Sequence, residues 1–138
     1  MKKEVVDCSV LIKIFIPEEG SKDACEWLLG WRGFKFEVFA PQLVVAEFAN
    51  VIWHKVKLKE LEKSTARDIL KDFLQLPLRL IEHNGIVEAA FSLAVEHDIT
   101  VYDSLYAALA YKLRSSLVTA DRKLAMKLKS APITIQTI

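Results

Sequence analysis

Apolar and polar residues follow two different rhythms along this chain. Six short apolar runs have the length of buried strands, at 3–7, 37–40, 78–81, 99–102, 117–119 and 133–135. Seven further segments carry apolar residues at helical spacing, at 9–16, 21–29, 41–57, 60–75, 85–97, 104–114 and 122–129. Strands that alternate with helices in this way are typical of a mostly parallel sheet with helices on both faces. We therefore predict an α/β fold.

The composition fits one globular domain over residues 1–138. The chain is 52% hydrophobic and 27% charged, which excludes a disordered protein, and it shows no internal repeat or linker. Its longest apolar stretch, at 38–53, is interrupted by residues that do not suit a bilayer: Pro41, Gln42, Glu47 and Asn50. The first residues are predicted to form a strand rather than a signal peptide. We expect no membrane association.

Two cysteines, Cys8 and Cys25, are too few for a disulfide scaffold. Both have apolar neighbours, so we expect buried thiols and a reducing compartment. Together with the lack of a signal-like start, this predicts a cytoplasmic location.

The net charge of +1 means that any binding to nucleic acid must use local basic patches. Two clusters of basic residues are candidates, at 55–59 and at 122–129. An ordinary solvated face of a helix is the commoner explanation of such clusters.

Four acidic residues lie in or beside apolar segments: Asp7, Glu47, Asp103 and Asp121. An ionised carboxylate in apolar surroundings costs several kcal/mol unless a partner compensates its charge. A hard divalent cation is a partner that several carboxylates can share. The four acids are therefore candidate ligands of a metal site, and sites built only from carboxylates usually handle phosphates.

Three of these acids, Asp7, Asp103 and Asp121, each follow a predicted strand and precede a predicted helix. In open α/β sheets, ligands bind beyond the carboxyl ends of the strands, near the point where the strand order reverses. We therefore expect the three acids to converge at one edge of the sheet. Glu47 lies instead on a helix, with Asn50 three residues later on the same face. We expect these two polar groups to act together.

Each of these residues also has a structural interpretation. An aspartate between a strand and a helix is a favoured helix cap, and a hydrogen-bonded network or ion pair in the core would satisfy Glu47. Ser9 and Thr119 each lie two residues from an acid, so their hydroxyls are expected either to serve that acid or a metal-bound water, or to cap locally. Lys13 is a candidate contact for a substrate phosphate, a counter-charge to the acids, or a plain surface lysine.

Four segments resemble the sequence motifs of the PIN domain family. They are Val5-Val6-Asp7-Cys8-Ser9-Val10-Leu11-Ile12-Lys13, Pro41-Gln42-Leu43-Val44-Val45-Ala46-Glu47-Phe48-Ala49-Asn50, Tyr102-Asp103-Ser104-Leu105-Tyr106-Ala107-Ala108-Leu109-Ala110 and Leu117-Val118-Thr119-Ala120-Asp121-Arg122-Lys123-Leu124. Any one of them is weak evidence, but all four occur in the family's order and spacing within 138 residues. The subgroup that the chain resembles most is the compact toxin ribonucleases of VapBC toxin–antitoxin systems.

That resemblance implies a three-layer α/β/α sandwich around a mostly parallel sheet. It implies Mg²⁺ or Mn²⁺ bound by Asp7, Glu47, Asp103 and Asp121, and hydrolysis of RNA phosphodiester bonds by an endoribonuclease. It also implies a homodimer and a small inhibitory antitoxin protein as partner. Supporting roles are expected for four further residues: Ser9, Lys13, Asn50 and Thr119.

Two other functions remain open from the sequence. A non-catalytic PIN-like binding or dimerisation module would use the acids structurally, with an interface supplied by aromatic residues: Trp27, Trp31, Phe34 and Phe36. Another metal-dependent phosphoester hydrolase would also use the acids. Aspartyl-phosphate enzymes, however, usually carry a second acid at the position of Ser9.

Overall fold

The computed structural model describes residues 1–138 and contains one five-stranded sheet in the order β3-β2-β1-β4-β5. All neighbouring strands are parallel. The strands are β1 (Lys2–Val6), β2 (Phe36–Pro41), β3 (Arg79–Ile81), β4 (Ser116–Thr119) and β5 (Thr134–Thr137). The helices are α1 (Cys8–Phe15), α2 (Ser21–Arg32), α3 (Leu43–Lys57), α4 (Lys63–Leu74), α5 (Val87–His97), α6 (Val101–Leu113) and α7 (Arg122–Lys127). None of these helices has the length and hydropathy that a membrane span requires.

The direction of the connections places helices on both faces of the sheet. The chain moves from β1 through α1 and α2 to β2, and through α3 and α4 to β3. It then returns through α5 and α6 to β4, and through α7 to β5. Because crossovers between parallel strands are almost always right-handed, the two sets of helices lie on opposite faces. The α/β/α sandwich is confirmed, and its strand order reverses between β1 and β4.

The core forms where the predicted apolar patterns face the sheet. Val5 and Val6 of β1 are fully buried. On α6, every residue from Ser104 to Ala110 is buried, which is the pattern of a helix enclosed on all sides. Its alanines are small, and α6 contacts β1, β2 and β4. This helix therefore holds its first turn at a fixed position beyond the carboxyl ends of the strands.

Two predicted element boundaries are wrong. The segment 99–102 is not a strand, because α6 begins at Val101 and the Thr100 side chain accepts a hydrogen bond from the Asp103 amide at 3.1 Å. This N-cap fixes a helix start where the short apolar run alone suited a strand equally well. Pro41 does not open α3 but ends β2 opposite Ile81. The fixed φ of proline also suits an extended strand end, where no amide donor is needed.

Both thiols were predicted to be buried, but neither cysteine is fully buried. Cys8 is half-buried, and Cys25 is exposed. The buried stripe of α2 consists of Ala24, Trp27 and Trp31, and Cys25 lies to one side of it. Burial of both tryptophans also removes them from the suggested aromatic interface, whereas Phe34 is exposed.

One buried acid was not predicted. Glu4, in the middle of β1, is buried, and its carboxylate accepts a hydrogen bond from Trp27 Nε1 at 2.6 Å. Lys2 Nζ lies 3.2 Å from the other carboxylate oxygen. Glu4 is thus satisfied within the fold and does not face the carboxyl edge of the sheet.

The packing of α4 gives a test of this core. The Phe73 ring stacks on Phe48 with centroids 3.9 Å apart and is 3% exposed, whereas its neighbour Leu74 is 57% exposed. We predict that Phe73→Ala lowers the free energy of unfolding by about 3 to 5 kcal/mol, because it leaves a cavity. Leu74→Ala should lower it by less than about 1 kcal/mol. Urea denaturation measures both, and equal effects would contradict the assigned packing of α4.

Candidate active site

Asp7 lies immediately after β1 and is 6% exposed. Its Oδ1 accepts hydrogen bonds from the Ser9 amide at 3.1 Å and from the Ser9 hydroxyl, and its Oδ2 accepts one from the Thr119 hydroxyl. The bond from the Ser9 amide makes Asp7 the N-cap of α1. The same carboxylate therefore caps a helix and lies at the edge of the sheet where the strand order reverses.

The two hydroxyls that contact Asp7 also accept hydrogen bonds from the segment after β4. Ser9 Oγ accepts one from the Ala120 amide at 2.9 Å, and Thr119 Oγ1 accepts one from the Asp121 amide at 3.0 Å. Each hydroxyl can donate only one proton, so both protons are directed at Asp7. This network joins the carboxyl ends of β1 and β4, the two strands at the reversal point.

Glu47 reaches the same region from the start of the second turn of α3 and is half-buried. Its Oε1 accepts a hydrogen bond from the Tyr106 hydroxyl of α6. Tyr106 was missed as a site residue by sequence reasoning. The available signal was the one hydroxyl within the otherwise apolar segment 105–110, since a buried tyrosine hydroxyl needs a partner.

Asp103 and Asp121 complete the set of acids. Asp103 lies in the first turn of α6 and is half-buried. Asp121 is exposed and caps α7, accepting a hydrogen bond from the Leu124 amide at 3.1 Å. The expected convergence at one edge therefore occurs, although Asp103 arrives there from a helix start and not from a strand end.

One open cleft of about 510 Å³ is bordered by all four acids. Three of the four supporting residues also line it: Ser9, Lys13 and Asn50. Thr119 is fully buried behind Asp7. Asn50 is exposed and lines the same cleft as Glu47. The Lys13 ammonium group binds Glu18 Oε1 at 3.2 Å and the Glu19 carbonyl at 2.6 Å, at the rim of the cleft.

Burial and mutual repulsion raise the pKa values of three of the acids. Burial raises the pKa of Asp7 to about 6, against the opposing effect of its hydrogen bonds, and the charge of Asp121 adds to the rise. The pKa of Glu47 is raised by burial and by Asp103, and that of Asp103 by burial and by Asp121. Burial also raises the pKa of the Cys8 thiol to about 12, which excludes a thiolate nucleophile near neutral pH.

Comparison with known proteins places this fold and cleft in a family. A family model described as PIN domain matches residues 5–127. This chain belongs to the PIN domain family. It is 32% identical over 127 residues to Ribonuclease VapC3 of Pyrobaculum aerophilum, covering 91% of this chain and 94% of the relative. It is also 32% identical to Exonuclease VapC9 of the same organism, covering 78% of this chain and 79% of that relative.

A solved structure supports the assignment of the fold. The crystal structure of VapBC2 from Rickettsia felis bound to a DNA fragment from its promoter matches with a TM-score of 0.70 and 17% identity. The match covers 98% of each chain. At this identity the likeness concerns the PIN fold alone.

The donor set of this PIN domain fits a hard divalent cation. The cleft offers carboxylate oxygens that repel one another and is open to water, which are the conditions under which Mg²⁺ binds through a few carboxylates and retained waters. No three acidic, histidine or cysteine side chains are close enough together to hold one ion among themselves. An ion in this cleft would therefore keep water ligands or draw the side chains closer.

The raised pKa of Asp7 predicts how stability depends on pH without metal. The pKa of about 6 in the fold exceeds that of an unfolded aspartate, about 3.9. Asp7 therefore contributes stability below about pH 4, and this contribution is lost as the pH rises through about 6. Near neutral pH, the buried charge costs roughly 3 kcal/mol.

We predict that Asp7→Asn removes this dependence. In EDTA, the variant should gain stability relative to the wild type as the pH rises from about 4 to about 7, because the amide carries no charge. Urea denaturation across this range measures the difference. Asp68→Asn, at an exposed position on α4, is the matched control and should run parallel to the wild type. A difference for Asp7→Asn that does not change with pH would contradict the assigned pKa.

Proposed function

We propose that this PIN domain is a metal-dependent endoribonuclease and the toxin of a VapBC-type toxin–antitoxin pair. The observation that carries the proposal is the cleft bordered by Asp7, Glu47, Asp103 and Asp121, in a chain 32% identical to Ribonuclease VapC3 over most of both lengths. An acidic cleft repels RNA unless cations neutralise it. A divalent cation would satisfy both the carboxylates and the substrate phosphate.

Cleavage within an RNA strand is favoured by the surroundings of the acids. Asp103 and Asp121 border the main cleft and also a second hollow of about 450 Å³, whose lining includes Lys123 and Lys127. These two acids thus lie where two open depressions adjoin, as along a groove. A strand can pass through such a groove without presenting an end, although the relative named Exonuclease VapC9 keeps end-directed cleavage as a result to test.

In the proposed mechanism, Asp7, Glu47, Asp103 and Asp121 hold Mg²⁺ or Mn²⁺, directly or through water. Such an ion supplies an activated water and offsets charge on the phosphate during hydrolysis. Ser9 and Thr119 hold both oxygens of Asp7 in place by hydrogen bonds. Lys13 and Asn50, at the cleft, are proposed to contact the RNA backbone.

The proposed partners are RNA, a small antitoxin and a second copy of this chain, in the cytoplasm. The antitoxin is supported by the match to a VapBC structure and by membership of the PIN family. The second copy is supported by an apolar stripe on α5, where Val87, Phe91 and Val95 lie four residues apart and are all exposed. A stripe along one helix can pair with itself about a two-fold axis, as most homodimer interfaces do.

A non-catalytic binding module remains the second candidate. The observation in its favour is that the oxygens of Asp7 already accept hydrogen bonds within the fold, and that no three acids are within reach of one ion. In that case the acids would only cap helices and join strands. A different metal-dependent phosphoester hydrolase would instead act on small phosphate esters and leave RNA intact.

Cleavage of RNA oligonucleotides tests the proposed function. We predict that the wild type cleaves with Mg²⁺ or Mn²⁺ and not with EDTA, and that Asp7→Asn and Asp121→Asn each lower the rate by at least about 100-fold. Cleavage of a circular RNA, which has no ends, would establish endonuclease action. Asp68→Asn is the matched control and should retain full activity.

Several results would contradict the proposal. Retained cleavage in both cleft variants would assign the activity to another site or a contaminant. Folded wild type that cleaves no RNA at saturating metal, but hydrolyses a small phosphate ester, would favour the other hydrolase. Cleavage of linear but not circular RNA would identify an exonuclease.

The apolar stripe predicts how the chain associates. We expect the wild type to elute at twice the protomer mass of 15.7 kDa by light scattering, and Phe91→Glu to elute as a monomer. Leu74→Glu changes an equally exposed apolar residue on α4 and should leave the dimer intact. A dimer that persists in Phe91→Glu would exclude α5 as the interface, and a monomeric wild type would exclude the homodimer.

A further inference from the structure

Tyr106 connects two helices that otherwise belong to different layers. α3, which carries Glu47, packs on α1, α4 and β2, whereas α6, which carries Tyr106, packs on α5 and on β1, β2 and β4. The Tyr106 hydroxyl donates a hydrogen bond to Glu47 Oε1, between residues 59 positions apart in the chain. The contact is therefore a tertiary one, and neither helix determines it alone.

Because Tyr106 is buried, its hydroxyl is held in one position, where it donates the hydrogen bond to Glu47. The residue is 2% exposed, and its ring is fixed within the most enclosed helix of the fold. A buried hydroxyl without a partner costs about 1 to 3 kcal/mol, so the bond is favoured strongly over its loss. The phenol has no further rotatable bond that could carry the oxygen away. Tyr106 thus presents a rigid donor.

Glu47, by contrast, has a long and flexible side chain in a half-buried position. The bond from Tyr106 engages one carboxylate oxygen, Oε1, and leaves Oε2 without a protein donor. Tyr106 and Glu47 both line the cleft that the other acids border. The hydrogen bond from Tyr106 therefore fixes the Glu47 carboxylate in the cleft and leaves Oε2 free.

We propose that Tyr106 is a positioning residue, whose hydroxyl fixes Glu47 so that Oε2 is available to a divalent cation in the cleft. This inference rests on the proposed function and assigns a role to a side chain outside the acidic set. In metal sites generally, groups that hydrogen-bond to a metal-coordinating side chain orient that side chain and tune its affinity for the metal.

The test compares Mn²⁺ binding by the wild type and Tyr106→Phe, which keeps the ring and removes only the hydroxyl. Binding is measured by electron paramagnetic resonance at a fixed pH of about 8, where ligating carboxylates are ionised. We expect the dissociation constant for Mn²⁺ to rise about 10-fold. This is the lower end of the usual loss of affinity when a group that hydrogen-bonds to a metal ligand is removed. The metal concentration for half-maximal RNA cleavage should rise by the same factor, with the KM for RNA unchanged. Tyr111→Phe, on the exposed side of α6, is the matched control and should change neither value.

A double-mutant cycle shows whether Tyr106 acts through Glu47. Glu47→Gln should weaken Mn²⁺ binding, and adding Tyr106→Phe should weaken it no further, because the carboxylate that the hydroxyl positions is already gone. Additive losses would overturn the proposal and assign Tyr106 a general structural role. Unchanged Mn²⁺ binding in Tyr106→Phe would also overturn it, while leaving the nuclease proposal standing. Wild type that binds no Mn²⁺ in the cleft would overturn both.

If Tyr106→Phe does not fold, a measurement on the wild type still tests whether Glu47 binds the cation, as the proposal requires. Carbon-13 NMR of the side-chain carboxyl groups follows Glu47 directly during a titration with diamagnetic Mg²⁺. The proposal requires the Glu47 carboxyl signal to shift with Mg²⁺ while that of exposed Glu26, on α2, stays in place. A Glu47 signal that does not move at saturating Mg²⁺ would overturn it.

Discussion

The hydrogen bonds that converge on Asp7 hold together the part of the fold on which everything else depends. They join the ends of β1 and β4, where the strand order reverses and where a parallel sheet opens toward its ligands. Burial raises the pKa of the Asp7 carboxyl to about 6, so the group is charged near neutral pH and lowers the stability of the fold there. The protein retains at this point a group that stability alone would replace.

Capping and chemistry do not exclude each other at this edge. Asp7 and Asp121 each accept an amide hydrogen bond from the helix they begin, which gives both side chains a single orientation. Asp103 is held by the capped start of α6, and Glu47 by Tyr106. Each acid thus has a structural reason for its position, and together the four acids border one cleft. A cation bound there would relieve the repulsion between the carboxylates.

Much of this arrangement was predictable from local patterns. Alternating strands and helices predicted the layered parallel fold, and the acids after β1 and β4 marked the edge where the acidic cleft lies. The start of α6 was missed, because two apolar residues before Asp103 fit either element and a side-chain cap from Thr100 decides between them. The partners of Glu4 and Glu47 were not predictable, since Trp27 and Tyr106 come from distant parts of the chain. The exposure of Asn50 likewise depends on which side of α3 packs against its neighbours.

The central claim is that four acids from separate segments of the chain form one metal-binding cleft. Crystals grown with Mn²⁺ test it most directly, since anomalous scattering locates each manganese ion without reference to activity. The account predicts manganese in the cleft bordered by Asp7, Glu47, Asp103 and Asp121, held by at least two of these carboxylates and by water. Manganese bound only outside this cleft, or absent at saturating concentration, would contradict it.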